Sequence, residues 1–591
     1  MLSAVPALSI SIMPIALQAE GLEKDLSGDL RPMFKVAITK EFDWQTKAVD
    51  GVSVYTNTHV SKAVLGGLVA VLDQPDISNQ SLVAALQDLT GHFAIVIEHE
   101  DWVFVCVDRI RSTPLIWCED SNDRLVIASR GDALLGALQY KKAQPHREQA
   151  LAIAMSGFTI GAETLYEDVY ALLPGQFLLA RKDKDSFCLT VERYHRYSPW
   201  RIDNQREGTD EGARSELSDM TLNILEETVR SADGRPLLVP LSAGLDSRVI
   251  VSGLKKVGYR DVHCFAYGLA GNREAVVSKA IAEKLGYRWA FAPFTNRTLA
   301  RQFHSDTYQD YVRYADSLTS VHFPQDFPAL SYLLESGYLP KDGVVLNGQS
   351  GDFISGNHIP SPLMTEGPVD EDGIDRVIDA LLAKHFTQWA ALNNGGNRRT
   401  VSIVLRRQID ELLPRQQQIA SMFHPYGVYE ECEFIDRQSK YVVNGQRAYE
   451  YLSFGWGLPL WHDQYLDFWS SQPLHRKANQ TLYKQTMFAN NWGGVWQDIP
   501  VNPTRIRPAW LLPVRHLLKL AHAPFGKSKW HRFEKRYLAY HMSSLCAYAL
   551  KSWRDVAADS RRPRSAIALH IEAYLQRHDV DMNALAEVTT S

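Results

Sequence analysis

One stretch constrains this chain more than any other: Leu237 to Arg248, LLVPLSAGLDSR. An apolar run, Leu237 to Leu241, stops at a turn of small residues, Ser242-Ala243-Gly244-Leu245-Asp246-Ser247. An apolar pattern then restarts at Val249, Ile250, Val251 and Leu254. That order predicts a buried strand, a tight loop and the first turn of a helix. Small residues at a helix N-terminus leave backbone N–H groups and the positive end of the helix dipole aimed at an anion. Asp246 sits badly against a bare phosphate unless a cation lies between them. The local chemistry therefore predicts a nucleotide phosphate with a divalent metal. The plain alternative is a strand-to-helix turn in which Ser and Asp only cap the helix. Neither a GxxxxGK[ST] loop nor a GxGxxG loop is present at this turn.

A chain of 591 residues is too long for one core, so two or three domains are expected. Six scattered cysteines with no CxxC pair argue against a disulfide framework and fit a reducing cytoplasm. A net charge of −5 gives no reason to expect nucleic acid as a partner. No apolar run reaches membrane-spanning length. Residues 2–17 are apolar but lack a basic leader and contain two prolines, so they read as an N-terminal extension rather than a signal peptide.

Short strands dominate from Met33 to Trp200. Candidates are Phe34–Thr39, Val52–Thr56, Phe93–Glu98, Trp102–Val107, Pro114–Trp117, Leu125–Ala128 and Gln176–Ala180, with one short helix over Ser81–Leu89. This predicts an antiparallel sheet domain with few helices. Ser198–Gly212 reads as a linker. Beyond it, strands at 237–241, 262–267, 289–294 and 343–346 alternate with helical patterns, which predicts a parallel, doubly wound sheet. Ligands of such sheets bind at the carboxyl ends of the strands. The opening loop and Asn347-Gly-Gln-Ser-Gly-Asp352 both fall there. Residues 371–490 read as mostly helical. From Arg505 to Arg536 nine Lys/Arg face one acidic residue, Glu534, with aromatic and aliphatic residues interleaved.

SAGLDS resembles the SGGxDS pyrophosphate loop of asparagine synthetase-type ATP pyrophosphatases, with Ala243 in place of a glycine. The segments Leu89–Ile97, Val107–Ile116, Ile127–Leu135 and Thr164–Gly175 resemble the family's N-terminal domain in order. The resemblance implies an Ntn-hydrolase-like α+β sandwich over 33–200 and an α/β ATP-pyrophosphatase domain over 212–504. An extension (1–32) and a basic helical tail (505–591) flank them. It also implies a two-step reaction, in which a carboxylate attacks the α-phosphate of ATP and an amine then attacks the acyl-adenylate. By motif, Pro240, Leu241, Ser242, Ala243, Gly244, Leu245, Asp246, Ser247, Tyr267, Asn347 and Gly348 would hold the nucleotide. Asp246 and Asp352 would hold Mg²⁺. The plain alternative for Asp352 is a turn residue. Lys484, with Lys477 second, is the candidate cation beside the pyrophosphate.

Two departures separate this chain from glutamine-hydrolysing members. Position 2 is Leu2 rather than the nucleophilic cysteine, and the RGPD and NGEIYN motifs are missing. Ammonia would then come from solution or from a partner glutaminase, or the amine would belong to the substrate. Gln349 replaces the Glu of the family's GEGSDE loop and cannot accept a proton at neutral pH. Asn444, Gln446, Arg447 and His462 are candidates for the substrate pocket or for structural polar groups. The stretches NGQSGDFISG and WGLPLWHDQYLDFW resemble asparagine-synthetase-like proteins of bacterial surface-polysaccharide clusters, which implies amidation of a sugar uronic acid. Asparagine formation, intramolecular cyclisation of the β-lactam synthetase or lasso-peptide type, and a non-catalytic nucleotide-binding scaffold are the other readings. The basic tail predicts an anionic surface such as lipid head groups or a lipid-linked intermediate, or a charged helical cap.

Overall fold

The computed structural model describes residues 33–38, 44–57, 60–75, 77–138, 143–364, 373–414, 423–501 and 510–586. The N-terminal extension 1–32 lies outside them. The first domain stacks two sheets. One runs in the order β10-β9-β5-β4-β3-β2, from strands Ser186–Arg193, Gln176–Asp183, Trp102–Val107, Ala94–Glu98, Val52–Thr56 and Gln45–Val49. The other runs β1-β7-β6-β8, from Phe34–Ala37, Leu125–Ala128, Ile116–Glu119 and Val169–Ala171. Alternation along β4 and β5 sends Val96, Val103 and Val105 into the core between the sheets. The same strands send Ile95, Ile97 and Phe104 against α1 (Lys62–Leu72) and α2 (Asn79–Gln87). On the far side, α3 (Gly131–Ala137) and α4 (Arg147–Ser156) cover the smaller sheet. The result is a four-layer αββα sandwich.

The expected strands are present, but the expectation of few helices fails. α1, α3 and α4 are additional. In α4 every residue from Gln149 to Ser156 is buried, so it lacks the one-sided apolar stripe that marks a helix in a sequence. β1 pairs parallel to β7, a departure from an all-antiparallel domain. The stretch 198–212 is also more than a linker. Trp200 is buried and its indole N–H donates to Glu431 (2.6 Å).

The second domain follows α5 (Asp210–Ala232) and is built on a five-stranded sheet of order β13-β12-β11-β14-β15. These strands are Arg288–Phe294, Val262–Leu269, Leu237–Pro240, Val344–Leu346 and Gly455–Gly457, and every neighbouring pair is parallel. From β11 the chain winds outward through α6 (Asp246–Lys256), β12, α7 (Arg273–Leu285) and β13. It then returns to the other side of β11 as β14. The winding therefore reverses between β11 and β14, where such sheets open a crevice. β15 has no sequence signature, because Gly455-Trp456-Gly457 is too short to alternate.

The C-terminal tail divides in two, which corrects its reading as one basic element. Helices Leu511–His522 and Lys527–Tyr537 form an outer hairpin around a small core of Leu511, Trp530 and Leu538. The chain then turns inward, and helix Ala566–Arg577 buries Leu569, Ile571 and Leu575 in the main core, against α4.

Candidate active site

The two loops singled out by sequence meet at the reversal point. α6 starts at Asp246, immediately after the loop that leaves β11. Ser247 Oγ accepts the Ser242 N–H (3.0 Å) and lies 3.1 Å from Ser242 Oγ, and the Gly244 N–H donates to Ser242 Oγ (3.1 Å). The serines thus close a ring that shapes the anion-facing turn. Arg248 backs it. Buried, it donates to the carbonyls of Ala243, Val495, Ile499 and Pro500. No sequence signal marks that role, since three of its four carbonyl partners lie some 250 positions away.

The second loop packs directly on the first. A Cβ at Gly348 would lie 2.8 Å from the backbone carbon of Asp246, and one at Gly351 would lie 2.6 Å from the Asp246 carboxyl carbon. Only glycine permits that approach. It brings the Asp352 N–H onto Asp246 Oδ2 (3.0 Å), while the Tyr483 hydroxyl donates to Asp246 Oδ1 (3.3 Å). Asp246 thus has neutral donors, and burial with the charge of Asp352 pushes its carboxyl up to about 8. Two carboxylates forced together in this way fit a divalent cation, which would satisfy both. Among the described residues no group of three or more His, Cys, Asp or Glu could hold a metal ion by itself. A cation here would therefore share its coordination with ligand oxygens.

Asp352 continues into a charged chain. Its Oδ2 lies 3.1 Å from His358 Nε2, and His358 Nδ1 contacts Glu433. Glu433 also accepts from the Tyr429 hydroxyl (2.7 Å), Gln438 (3.1 Å) and Lys384 (3.3 Å). Burial works to raise Glu433, but His385 and His358 hold it well below the usual carboxylate range. Burial works to lower His358, but Glu433 and Asp352 carry it up to about 9. Burial also works to raise Asp352, and the His358 bond and charge outweigh it. At neutral pH the chain is carboxylate, imidazolium, carboxylate.

This chain opens into a cavity of about 540 Å³, lined by Asp352, His358, Lys384 and Arg437 with Phe323 and Tyr441. Arg437 and Tyr441 stand on a π-helical stretch, Phe434–Val442, a widening that recurs at functional sites. The first domain braces it. Lys440, on the same stretch, donates to the carbonyls of Thr159 (2.8 Å) and Gly161 (2.6 Å).

The other candidate residues divide. Asn347 donates to Asp326 (3.3 Å) and Tyr449 (2.5 Å), which ties the second loop to buried Asp326, and the Tyr267 hydroxyl donates to the same Asp326 (2.6 Å). The Gln349 side-chain nitrogen has no partner among the described residues. Lys477 is fully buried and paired with Glu430 (2.7 Å), beside the Tyr197 hydroxyl (3.2 Å). The Lys484 amine donates to the Asn479 carbonyl (2.8 Å) on an exposed face. The structure brings neither lysine into contact with the two loops. Asn444 donates to the Ala315 carbonyl (3.0 Å), Gln446 to the Ser112 carbonyl, and Arg447 pairs with Glu450 (2.6 Å). All three side chains are thus held by partners within the fold. His462 faces Glu227 (3.2 Å) in a separate interdomain cavity. Tyr483, His358, Glu433, Lys384 and Arg437 are the site residues that no motif revealed.

In the first domain, β1 opens with Phe34, buried in the inter-sheet core. The Cys106 thiol is pushed up by burial, Cys118 is buried on β6, and Cys188 lies exposed on β10. None stands at the head of β1.

Two family models match the chain: a glutamine amidotransferase domain over residues 79–195 and asparagine synthase over residues 221–427. No curated protein matches it. Similar solved structures include the allosteric regulatory enzyme of purine biosynthesis, at 12% identity over 41% of this chain and 61% of that chain, with a TM-score of 0.16. Another is the glutamine phosphoribosylpyrophosphate amidotransferase from B. subtilis complexed with ADP and GMP, at 13% identity over 44% of this chain and 74% of that chain, with a TM-score of 0.16. The chain spans about three-fifths of the first structure's length, and similarity this coarse carries no chemistry. The two matches follow one another in that order along the chain, which supports an asparagine synthetase-like family.

Proposed function

We propose that the protein is an ATP-dependent carbon–nitrogen ligase that activates a substrate carboxylate as its adenylate and passes the acyl group to an amine. The observation that carries this reading is the contact between the 242–247 and 347–352 loops, with Asp246 and Asp352 side by side at the sheet's reversal point. In the first step a carboxylate oxygen bonds to the α-phosphorus, and the α–β bridging oxygen leaves with its electron pair as pyrophosphate. The serine ring and the α6 N-terminus face the leaving charge. Asp246 and Asp352 would hold Mg²⁺, which neutralises phosphate charge when bound. In the second step the amine nitrogen bonds to the acyl carbon, AMP leaves and the amine gives up a proton. Gln349 can hydrogen-bond there but cannot take that proton.

The acceptor reading is a sugar uronic acid. Lys384, Arg437 and the imidazolium of His358 suit a carboxylate, and Phe323 and Tyr441 offer faces for a ring. A cavity of about 540 Å³ lies in the range that encloses a drug-sized ligand, larger than a four-carbon amino acid such as aspartate requires. Ammonia or a substrate amine supplies the nitrogen, since the first domain lacks the cysteine that glutamine-hydrolysing relatives carry at its start. ATP–pyrophosphate exchange against a panel of free and nucleotide-linked uronic acids, with aspartate alongside, tests the reading. Exchange driven by a uronic acid supports it, exchange driven by aspartate moves the assignment to asparagine formation, and no exchange with any carboxylate refutes the ligase.

A further inference from the structure

The outer C-terminal hairpin carries features that the ligase chemistry leaves unexplained. Trp510, Val514, Leu517, Leu520 and Phe525 are exposed at 57, 39, 68, 71 and 59%. They make up five of the thirteen exposed large hydrophobic side chains among the described residues, gathered within sixteen positions. Scattered single hydrophobics need no explanation, but a gathered patch marks a contact surface. Val514, Leu517 and Leu520 recur every three positions, with Trp510 one turn before them, so they form one stripe along the helix Leu511–His522. A neighbouring face of that helix is already used, with Leu511 and Leu518 packed against Trp530 and Phe533.

Charge identifies what covers the stripe. Between Trp510 and Tyr537 the hairpin has seven Lys/Arg and one acidic residue, Glu534, in a chain whose net charge is −5. Arg515 pairs with Glu534, which leaves six cations in excess. Behind the second helix lies a cavity of about 640 Å³, lined by Arg532, Lys535, Arg562 and Arg564 with Tyr537 and Tyr540. Among the described residues no carboxylate forms an ion pair with any of these four cations. Asp559 also lines the cavity, but it pairs with Arg561 (2.8 Å). Burial and the charge of Arg564 lower the Lys535 amine, as expected where positive charges face one another without a counter-charge. Arg564 is shared, since it also lines the cavity beside Asp352.

We propose that this hairpin seats the protein on an anionic phospholipid bilayer. The stripe enters the head-group and acyl boundary, and the cavity behind the second helix takes a phosphate head group. An amphipathic helix with Trp, Phe and Leu on one face and cations around it binds in this way, and each cation near an anionic surface adds about 1 kcal/mol. A second copy of the chain on the same face would bring the two sets of cations together. Among the described residues no helix is long and apolar enough to cross a membrane, so the contact is with one surface. The cavity beside Asp352 would then sit one residue, Arg564, away from the head-group cavity. The bilayer contact stands whatever the reaction proves to be.

Co-sedimentation of the full chain with vesicles tests this. Phosphatidylcholine vesicles containing phosphatidylglycerol should bind the protein, pure phosphatidylcholine vesicles should not, and added salt should weaken binding. The double variant Leu517→Glu/Leu520→Glu changes only exposed positions and should lower partitioning about tenfold or more with Tm unchanged. Lys535→Glu/Arg562→Glu should remove the preference for anionic vesicles. Equal binding to both vesicle types, binding to neither, or wild-type partitioning of Leu517→Glu/Leu520→Glu would overturn the proposal. A dimer that Leu517→Glu dissolves, without vesicle binding, would assign the face to a second copy instead.

Discussion

The two domains preserve different things. The sandwich keeps its strands, its inter-sheet core and its order of segments, yet β1 opens with Phe34 in the core. The parallel-sheet domain keeps its loops, down to the two glycines that let Asp352 reach Asp246. A fold survives on alternating apolar positions, which many residues satisfy. A site survives only on particular atoms at particular distances. The sandwich still contributes, since the carbonyls of Thr159 and Gly161 hold Lys440 on the π-helical wall of the cavity beside Asp352.

Four variants sharpen that contrast. The largest effect is expected from Asp352→Asn, which keeps the shape and removes the charge. Its rate of pyrophosphate exchange should fall by at least about 100-fold while the thermal midpoint stays near wild type, in line with losing one charge-stabilising group. Wild-type exchange would remove Asp352 from the chemistry. Next is Lys477→Met, which leaves Glu430 buried without its partner and should cost about 3–5 kcal/mol in denaturant unfolding. Loss of exchange at unchanged stability would instead make Lys477 part of the site.

The pH dependence of that loss has a definite sign. Burial, opposed by Lys477, already carries the Glu430 carboxyl up to about 6. The native state then holds its proton above the range where the unfolded chain releases it, about 4.5. Stability therefore falls as pH rises through that window. Without Lys477 the window extends upward, so the variant's deficit should be large at pH 7 and shrink toward pH 5, where a neutral Glu430 needs no partner. A deficit that is flat from pH 5 to 7 contradicts the pairing.

Third, Gly351→Ala places a methyl against the Asp246 carboxyl and Leu460. It should cost about 1–3 kcal/mol and depress exchange by prying the loops apart. Normal exchange would mean that the loops need not touch. The smallest effect on stability is expected from Lys484→Ala, within about 0.5 kcal/mol, because among the described residues the amine's hydrogen-bond partner is the Asn479 carbonyl on an exposed face. Its exchange rate decides whether Lys484 moves onto the nucleotide, since a fall without destabilisation would place it there.

Much of this was legible in the sequence because it is written in local pattern. Strand, small-residue loop and helix at 237–254 follow from apolar runs and a turn, and the parallel sheet follows from alternating strands and helices. The meeting of Asp246 with Asp352 follows once both loops lie at strand ends. The charged chain was not legible. Asp352 and His358 lie six positions apart, but Glu433 is 75 positions beyond His358, and only the packing of helix Pro425–Glu433 against the second loop completes the chain. Lys477 shows the opposite failure. A lysine beside an expected pyrophosphate site reads as functional, but its neighbour Glu430 is 47 positions away and invisible to local reasoning. Helix α4 was missed because a helix buried all round has no polar face to set its period.

The most direct test of the central claim is Mg²⁺-dependent ATP–pyrophosphate exchange by the purified full chain, with Asp246→Asn as the paired control. The account predicts exchange that requires both a carboxylate substrate and Mg²⁺ in the wild type, and none above background in the variant. Exchange of equal rate in Asp246→Asn, or exchange indifferent to Mg²⁺, would contradict it.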